Sequence, residues 1–210
     1  MREVWLIRHG ESLANIGGST STPREIPLTD VGLREADQLG EQLSVRPDLI
    51  VVSPYVRTQQ TAEPTKLRFP DVPVAVLGVQ EFTYLAVSKC RGTTQEERRP
   101  LVEGYWQRAD PHYCDGDQAE SFAEFLGRTE RFVHELNEHD FSVAYIFTHE
   151  QFIKGLMWHA MRLGRAIDST SMTEFDKFQR SFKIPNASIT ATKFDADKQF
   201  YFGSIDTIVV

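Results

Sequence analysis

Apolar residues fall into short solid blocks, separated by longer stretches where they recur every three or four positions, a rhythm of buried strands alternating with amphipathic helices. The first block, Val4 to Ile7, stops at Arg8, His9 and Gly10 and predicts a buried strand ending at Arg8 or His9. A polar loop follows, "ANIGGSTSTPREIP", whose glycines, serines and prolines disfavour regular structure. Thr29 then caps a predicted helix with apolar positions Val31, Leu33, Ala36, Leu39 and Leu43. "DLIVVS" (48 to 53) reads as a second buried strand, and Pro54 is expected at the first helical position of "PYVRTQQTAEP".

"VPVAVLGV" (72 to 79) predicts a third strand, after which the rhythm breaks: residues 81 to 120 are rich in charge, Gly and Pro and are expected to form an inserted lobe. Regular structure resumes at Ser121, an N-cap, with Phe122, Phe125, Leu126, Val133 and Leu136 on one helical face. "SVAYIFTH" (142 to 149) predicts a fourth strand and "QFIKGLMWHAMRL" a helix after it. "NASITATKF", "QFYFG" and "TIVV" predict later strands, partly at an edge. Alternating strands and helices imply an α/β protein, a three-layer α/β/α sandwich with a mostly parallel central sheet. The length of 210 residues suits one domain spanning 1 to 210 with the lobe inserted in it.

Charge narrows the partners. Thirty acidic against 23 basic residues leave a net charge of -7, which repels nucleic acid and anionic membrane, and neither is expected to bind. No apolar stretch reaches the length of a membrane span and the first residues lack a signal-type apolar region, so a soluble, cytoplasmic protein is expected. Cys90 and Cys114 lack CxxC spacing and fit a reducing compartment. No HExxH, His/Cys cluster or DxDxDG loop occurs, so neither a metal site nor a cofactor is expected.

Ligands of open α/β sheets bind beyond the carboxyl ends of the strands, and three predicted strands end in reactive residues: Arg8-His9, the turn before Arg57, and Thr148-His149. Gly10 is expected to let the backbone turn sharply and a ligand come close. Two arginines and two histidines at one crevice suit a phosphoryl group, whose oxygens match the forked guanidinium donors. A neutral imidazole can attack phosphorus and form a phosphohistidine, splitting one displacement into two. Fixed cationic donors would stabilise the transition state without a metal.

"LIRHGES" with Asn15, "IPLTDVGLREA", "SPYVRTQQTA", "AESFAEFLGR", "FTHEQF" and "IPNASIT" together resemble the successive motifs of the histidine phosphatase superfamily, in its phosphoglycerate mutase-like branch. The resemblance implies a phosphoglycerate mutase-like fold and, position by position, His9 as nucleophile, Arg8, Arg57 and His149 as the phosphate pocket, Ser12 and Asn15 as substrate-touching loop residues, and Glu81 as general acid. A carboxyl shielded beside the third strand can have its pKa raised towards that task. The implied activity is that of a phosphoric monoester hydrolase of the histidine acid phosphatase type, acting on a small phosphorylated molecule.

Two features depart from the family pattern. Glu150 stands where the family usually has Gly after the second histidine; it is expected either to satisfy the helix terminus or to line the pocket as a substrate-binding residue. The "ERHYG"-like segment of the mutases is replaced by "EFTYLAVSKCRGTTQEERR", which favours a phosphatase over a mutase. Two alternatives stay open, mutase-type phosphoryl transfer and a catalytically silent module that binds phosphorylated ligands. Within the lobe, His112 is a candidate substrate contact, whereas Lys89, Arg91, Arg98 and Arg99, interleaved with Glu96 and Glu97, are expected to be solvated. Asn186 and Ser188 are expected to serve turn and packing, and Trp5 the core. Substrate identity and oligomeric state are not legible.

Overall fold

The computed structural model describes residues 1–162 and 164–207. Its six strands are β1 (Arg2–Arg8), β2 (Leu49–Val52), β3 (Val74–Val76), β4 (Val143–Thr148), β5 (Ile189–Phe194) and β6 (Phe200–Asp206), in the sheet order β3-β2-β4-β1-β5-β6. The first four run parallel and β5 and β6 antiparallel, so the mostly parallel sheet is as expected. β4 lies between β1 and β2, the switch in strand order where the carboxyl ends open a crevice.

Alternation along the central strands builds two cores. Val4, Leu6, Leu49, Val51, Ala144 and Ile146 face one side of the sheet, under α5 (Phe122–Asn137) and α6 (Glu150–Arg162). Ile7, Ile50, Val52, Tyr145 and Phe147 face the other, under α1 (Asp30–Gln42) and α2 (Val56–Arg68). Both faces of a parallel sheet are thereby covered, which is why β2 and β4 read as solid apolar runs.

Several boundaries move for identifiable reasons. Thr29 caps α1 as expected, its Oγ1 accepting from Gly32 N at 3.1 Å, but Val31 and Leu33 are 36% and 42% exposed. The buried stripe runs through Gly32, Ala36, Leu39 and Gly40 to Leu43, and those two residues flank it. Pro54 precedes the helix rather than starting it: Tyr55 N donates to Ser53 Oγ at 3.2 Å, a local turn that delays α2 until Val56. β3 is only three residues long, with Val74 and Val76 exposed at the sheet edge; Val72 and Val79 are buried outside it.

The 81–120 segment holds α3 (Val87–Cys90) and α4 (Gln95–Arg108), the latter opened by a capping box between Thr94 and Glu97. A further helix, α7 (Ser169–Ser181), has no counterpart among the elements expected from the pattern. Its Phe175 and Phe178, with Trp158 of α6 and Trp106 of α4, join an aromatic mass that supports the segment. Thr207 follows β6 without strand structure, and the rest of the "TIVV" strand expectation lies outside the described residues. Cys90 and Cys114 are both free, and Trp5 is half-buried against Tyr145 at 5.0 Å. No described helix is long and apolar enough to cross a membrane.

Candidate active site

The strand tips deliver their polar residues to one point. Arg8 ends β1, His9 follows it, Ser53 follows β2, and His149 sits between the end of β4 and the first turn of α6. His9 N donates to Thr148 O at 3.0 Å and Ser53 N to Phe147 O at 3.1 Å, so neighbouring tips are stitched by backbone bonds. Arg57 enters from the first turn of α2 and is buried.

Gly10 is explained by a different neighbour from the one expected. A Cβ there would meet the carbonyl oxygen of Gly32 at 2.6 Å, and one on Gly32 would meet Glu11 O at 2.0 Å. The start of α1 therefore requires a glycine at position 10, backbone packed against backbone.

His9 Nδ1 lies 2.7 Å from Gly10 O, which can only accept, so Nδ1 carries the proton and Nε2 presents a lone pair. Arg57 Nε donates to that Nε2 at 3.1 Å, and Arg57 Nη2 to His149 Nδ1 at 3.0 Å. Its third arm, Nη1, donates to Pro23 O at 2.7 Å and holds the guanidinium still. The far side of His149, Nε2, meets Ser53 Oγ at 2.9 Å. The imidazole centroids are 5.1 Å apart, edge to face.

Electrostatics keep both rings neutral. Burial pushes the His9 pKa well below 6.5, reinforced by Arg57 and Arg8, and the Gly10 carbonyl only partly opposes this. His149 is lowered likewise by burial, with Arg57, His9, Arg128 and Arg8 adding to it. Arg57, brought down to about 10 by burial, remains cationic at neutral pH.

Glu81 stands across the crevice, between β3 and α3. Its Oε1 accepts from Gln151 N at 3.0 Å, in the first turn of α6, and from Phe82 N at 3.3 Å. Burial raises its pKa above 4.5, and Glu150 adds to the rise; Arg57 and Arg8 pull the other way without reversing it. A carboxyl whose pKa is raised is better suited to give up a proton to a leaving group than an ordinary carboxylate.

Glu150 is committed to protein partners: Oε2 lies 3.1 Å from Arg8 Nη1, Oε1 lies 2.6 Å from Lys154 Nζ, and Ile184 N donates to Oε1 at 3.3 Å. Arg8 Nη1 also donates to Ile184 O, while Arg8 Nε is buried without a protein partner. Ser12 is buried and Asn15 exposed; Asn15 Oδ1 accepts from Ser12 Oγ at 2.8 Å and Ser12 N at 3.0 Å. His112 is exposed, with its backbone N bonded to Asp110, and it makes no side-chain hydrogen bond to the cage residues. Lys89 pairs with Asp115 at 2.7 Å, Arg99 with Glu96 at 2.6 Å, and Arg98 Nη1 donates to Thr93 O at 2.6 Å.

Four contributors had no site role in the reading of the sequence. Ser53 braces His149. Asn186 exceeds its expected turn role: its amide donates to His9 O at 3.0 Å, Gly10 O at 3.2 Å and Asn15 Oδ1 at 3.2 Å, tying β5's approach to the loop after β1. Arg128 and Glu120 frame Glu81. Ser53 left a trace as a hydroxyl at a predicted strand tip, and Glu120, Arg128 and Asn186 lie within motifs that carry the family resemblance.

Comparison with known proteins identifies the family. The profile described as Histidine phosphatase superfamily (branch 1) matches residues 4–202. The chain belongs to the histidine phosphatase superfamily. A member from Escherichia coli, the adenosylcobalamin/alpha-ribazole phosphatase, is 35% identical over 145 residues, 64% of this chain and 66% of that one. The 2,3-bisphosphoglycerate-dependent phosphoglycerate mutase 1 of Arabidopsis thaliana is 30% identical over 135 residues, 62% of this chain and 40% of that protein. These alignments span less than two thirds of the curated relatives' own length. Among solved histidine phosphatase folds, the alpha-ribazole phosphatase of Shigella flexneri superposes with a TM-score of 0.73 at 24% identity, covering 98% of this chain and 96% of that one, a likeness of fold.

Proposed function

We propose that the protein is a phosphomonoesterase of the histidine acid phosphatase type, hydrolysing a small phosphorylated molecule through a phosphohistidine at His9. One observation carries the reading: two neutral imidazoles, His9 Nε2 and His149 Nδ1, converge on the single guanidinium of Arg57 at 3.1 and 3.0 Å. An incoming phosphoryl dianion takes over the Arg57 donors, frees the His9 lone pair and places phosphorus in line with it. His9 Nε2 forms the P–N bond as the P–O bond to the leaving group breaks, and the departing oxygen takes the Glu81 proton. Glu81, now a carboxylate, deprotonates a water that attacks phosphorus; the P–N bond breaks, phosphate leaves and Glu81 has its proton back.

Arg8 and Arg57 would stabilise charge on the equatorial oxygens. His149 would join them once Arg57 turns to the phosphoryl group and the imidazole proton moves from Nε2, beside Ser53, to Nδ1; together they supply the role a metal plays elsewhere. Glu150 holds Arg8 in place, while Ser12 and Asn15 would orient the substrate. The 81–120 segment, His112 included, would select the leaving group. With the His9 pKa lowered and the Glu81 pKa raised, the window in which His9 is neutral and Glu81 protonated is wider than for unperturbed groups, and turnover declines as pH rises through the Glu81 value.

The test is a panel of phosphorylated metabolites and an aryl phosphate, alpha-ribazole phosphate included because of the similar Escherichia coli protein. The wild type is expected to release phosphate in the presence of EDTA and to trap an acid-labile label on His9; His9→Ala should do neither. Labelling of the His9→Ala variant, or activity abolished by EDTA, would defeat the proposal. Interconversion of phosphoglycerates with a bisphosphate primer, without phosphate release, would identify a mutase instead.

A further inference from the structure

Glu81 reaches the crevice from irregular backbone between β3 and α3, yet a general acid must be placed within hydrogen-bond reach of the leaving oxygen. Irregular backbone with no ladder needs other restraints. Beside the bond from Gln151 N to the Glu81 carboxyl and that from Thr148 Oγ1 to Val79 O, several come from one largely buried pair. Arg128, on α5, donates from Nη1 to Gly78 O at 3.0 Å and Gln80 O at 2.8 Å. Its Nε donates to Glu120 Oε2 at 3.0 Å, and Nη2 bonds Glu120 Oε1. Glu120 in turn accepts from Thr83 N at 3.3 Å through Oε1, while its own N donates to Thr83 O at 2.8 Å.

Backbone groups at 78, 80 and 83 are therefore fixed by one ion pair, with Glu81 between them. The same contacts pin the two ends of the 81–120 segment to each other, because Thr83 lies at its start and Glu120 at its end. Thr83 Oγ1 continues the link, meeting Tyr55 OH at 2.9 Å; the Tyr55 ring lies beneath Arg57, 5.0 Å from its guanidinium carbon, and edge-on to His149 at 5.3 Å. A buried ion pair seldom gains stability over an apolar pair of the same volume, so its bonding pattern is the informative feature. A lysine has no planar fork to span two carbonyls and a carboxylate at once.

We propose that Arg128 and Glu120 are positioning residues for the general acid, a clamp that sets where Glu81 meets the leaving group while the chain between residues 83 and 120 is free to differ in shape. The inference rests on the reading of Glu81 as the acid. The clamp's hydrogen bonds reach the phosphoryl cage only through Thr83 and Tyr55, while the Arg128 charge also acts on His149 across space.

The experiment compares kcat/KM for p-nitrophenyl phosphate, whose leaving group needs little protonation, with that for an alkyl phosphate, whose leaving group needs it fully. Glu81→Gln, Arg128→Lys and Glu120→Gln are assayed side by side with thermal melts. Misplacing the acid should lower kcat/KM on the alkyl ester roughly tenfold or more in both clamp variants, and on the aryl ester less than about threefold. In the Glu81→Gln background the clamp substitutions should add little. An equal loss on both esters, full additivity with Glu81→Gln, or failure of both clamp variants to fold would overturn the inference, the last because it assigns the pair to stability alone. Should Glu81→Gln itself fail to distinguish the esters, the general-acid reading falls and takes the clamp with it; should Glu81→Gln alone distinguish them, the clamp falls and the acid stands.

Discussion

The strand-tip cage and the 81–120 segment meet at the same crevice but are held by different physics. Cage residues sit at the ends of β1, β2 and β4 and the starts of α2 and α6, where the ladder and helix bonds leave little freedom. The segment carries only the short α3 and α4, and packs through rings: Phe82 stacks on Phe125 at 4.4 Å, and Trp106 lies within 5.3 to 6.3 Å of Tyr105, Tyr84, Phe82, Phe175 and Phe122. On the proposed reading, the chemistry common to all phosphomonoesters rests on the rigid part, and selection of the leaving group rests on side-chain packing. Packed rings repack under substitution more readily than a sheet shifts its register.

Substitutions can separate the two regions, beginning with the segment. Trp106→Ala should cost about 3–5 kcal/mol of stability by leaving a cavity in the aromatic mass, measured by urea denaturation. At temperatures where the variant stays folded, inorganic phosphate should still inhibit it with an affinity within about threefold of wild type, because a distant packing change and the cage act independently. A lost phosphate affinity would show that the regions are not separable.

On the cage side, Arg57→Lys should reduce kcat/KM by about 10²–10³, by the same factor for aryl and alkyl esters, with little change in melting temperature. A loss confined to one ester class would place Arg57 with the leaving group instead.

The smallest expected effect is a dependence of stability on pH. His9 and His149 resist protonation in the fold but accept it when unfolded, so stability is complete above pH 6.5 and falls as pH drops from there to their depressed folded values. The slope reaches about 1.4 kcal/mol per pH unit for each histidine. Glu81 has the opposite sign: its raised pKa removes stability as pH climbs from 4.5 through the folded value. Urea denaturation across this range should therefore show a shallower acid decline for His149→Gln and a steeper one for Glu81→Gln. Unchanged slopes would mean that the cage is open to water.

Arg8, His9, Arg57 and His149 were legible because each follows a solid apolar run that can only be a buried strand, or opens the helix after one, and polar groups at such points must face a crevice. Glu81 was legible through family resemblance alone, since nothing in the irregular stretch around it has a period. The delayed start of α2 came from the local turn at Ser53 and Tyr55, whereas the exposure of Val31 and Leu33 and the partner at Gly10 depended on packing between segments, such as Gly32 against Glu11.

Local patterning by itself determined most of the strands and helices, though not α7 or the helices of the 81–120 segment, and which reactive side chains stand at strand ends, because burial and hydrogen-bond satisfaction act within a few residues. Only the tertiary structure decided what those side chains do to one another. The 3.1 Å contact of Arg57 with His9 spans 48 residues, that of Asn186 with the His9 carbonyl spans 177, and the bond from Arg128 to Gln80 spans 48. Such distances are set by how the layers pack, and so are the protonation states that follow from them.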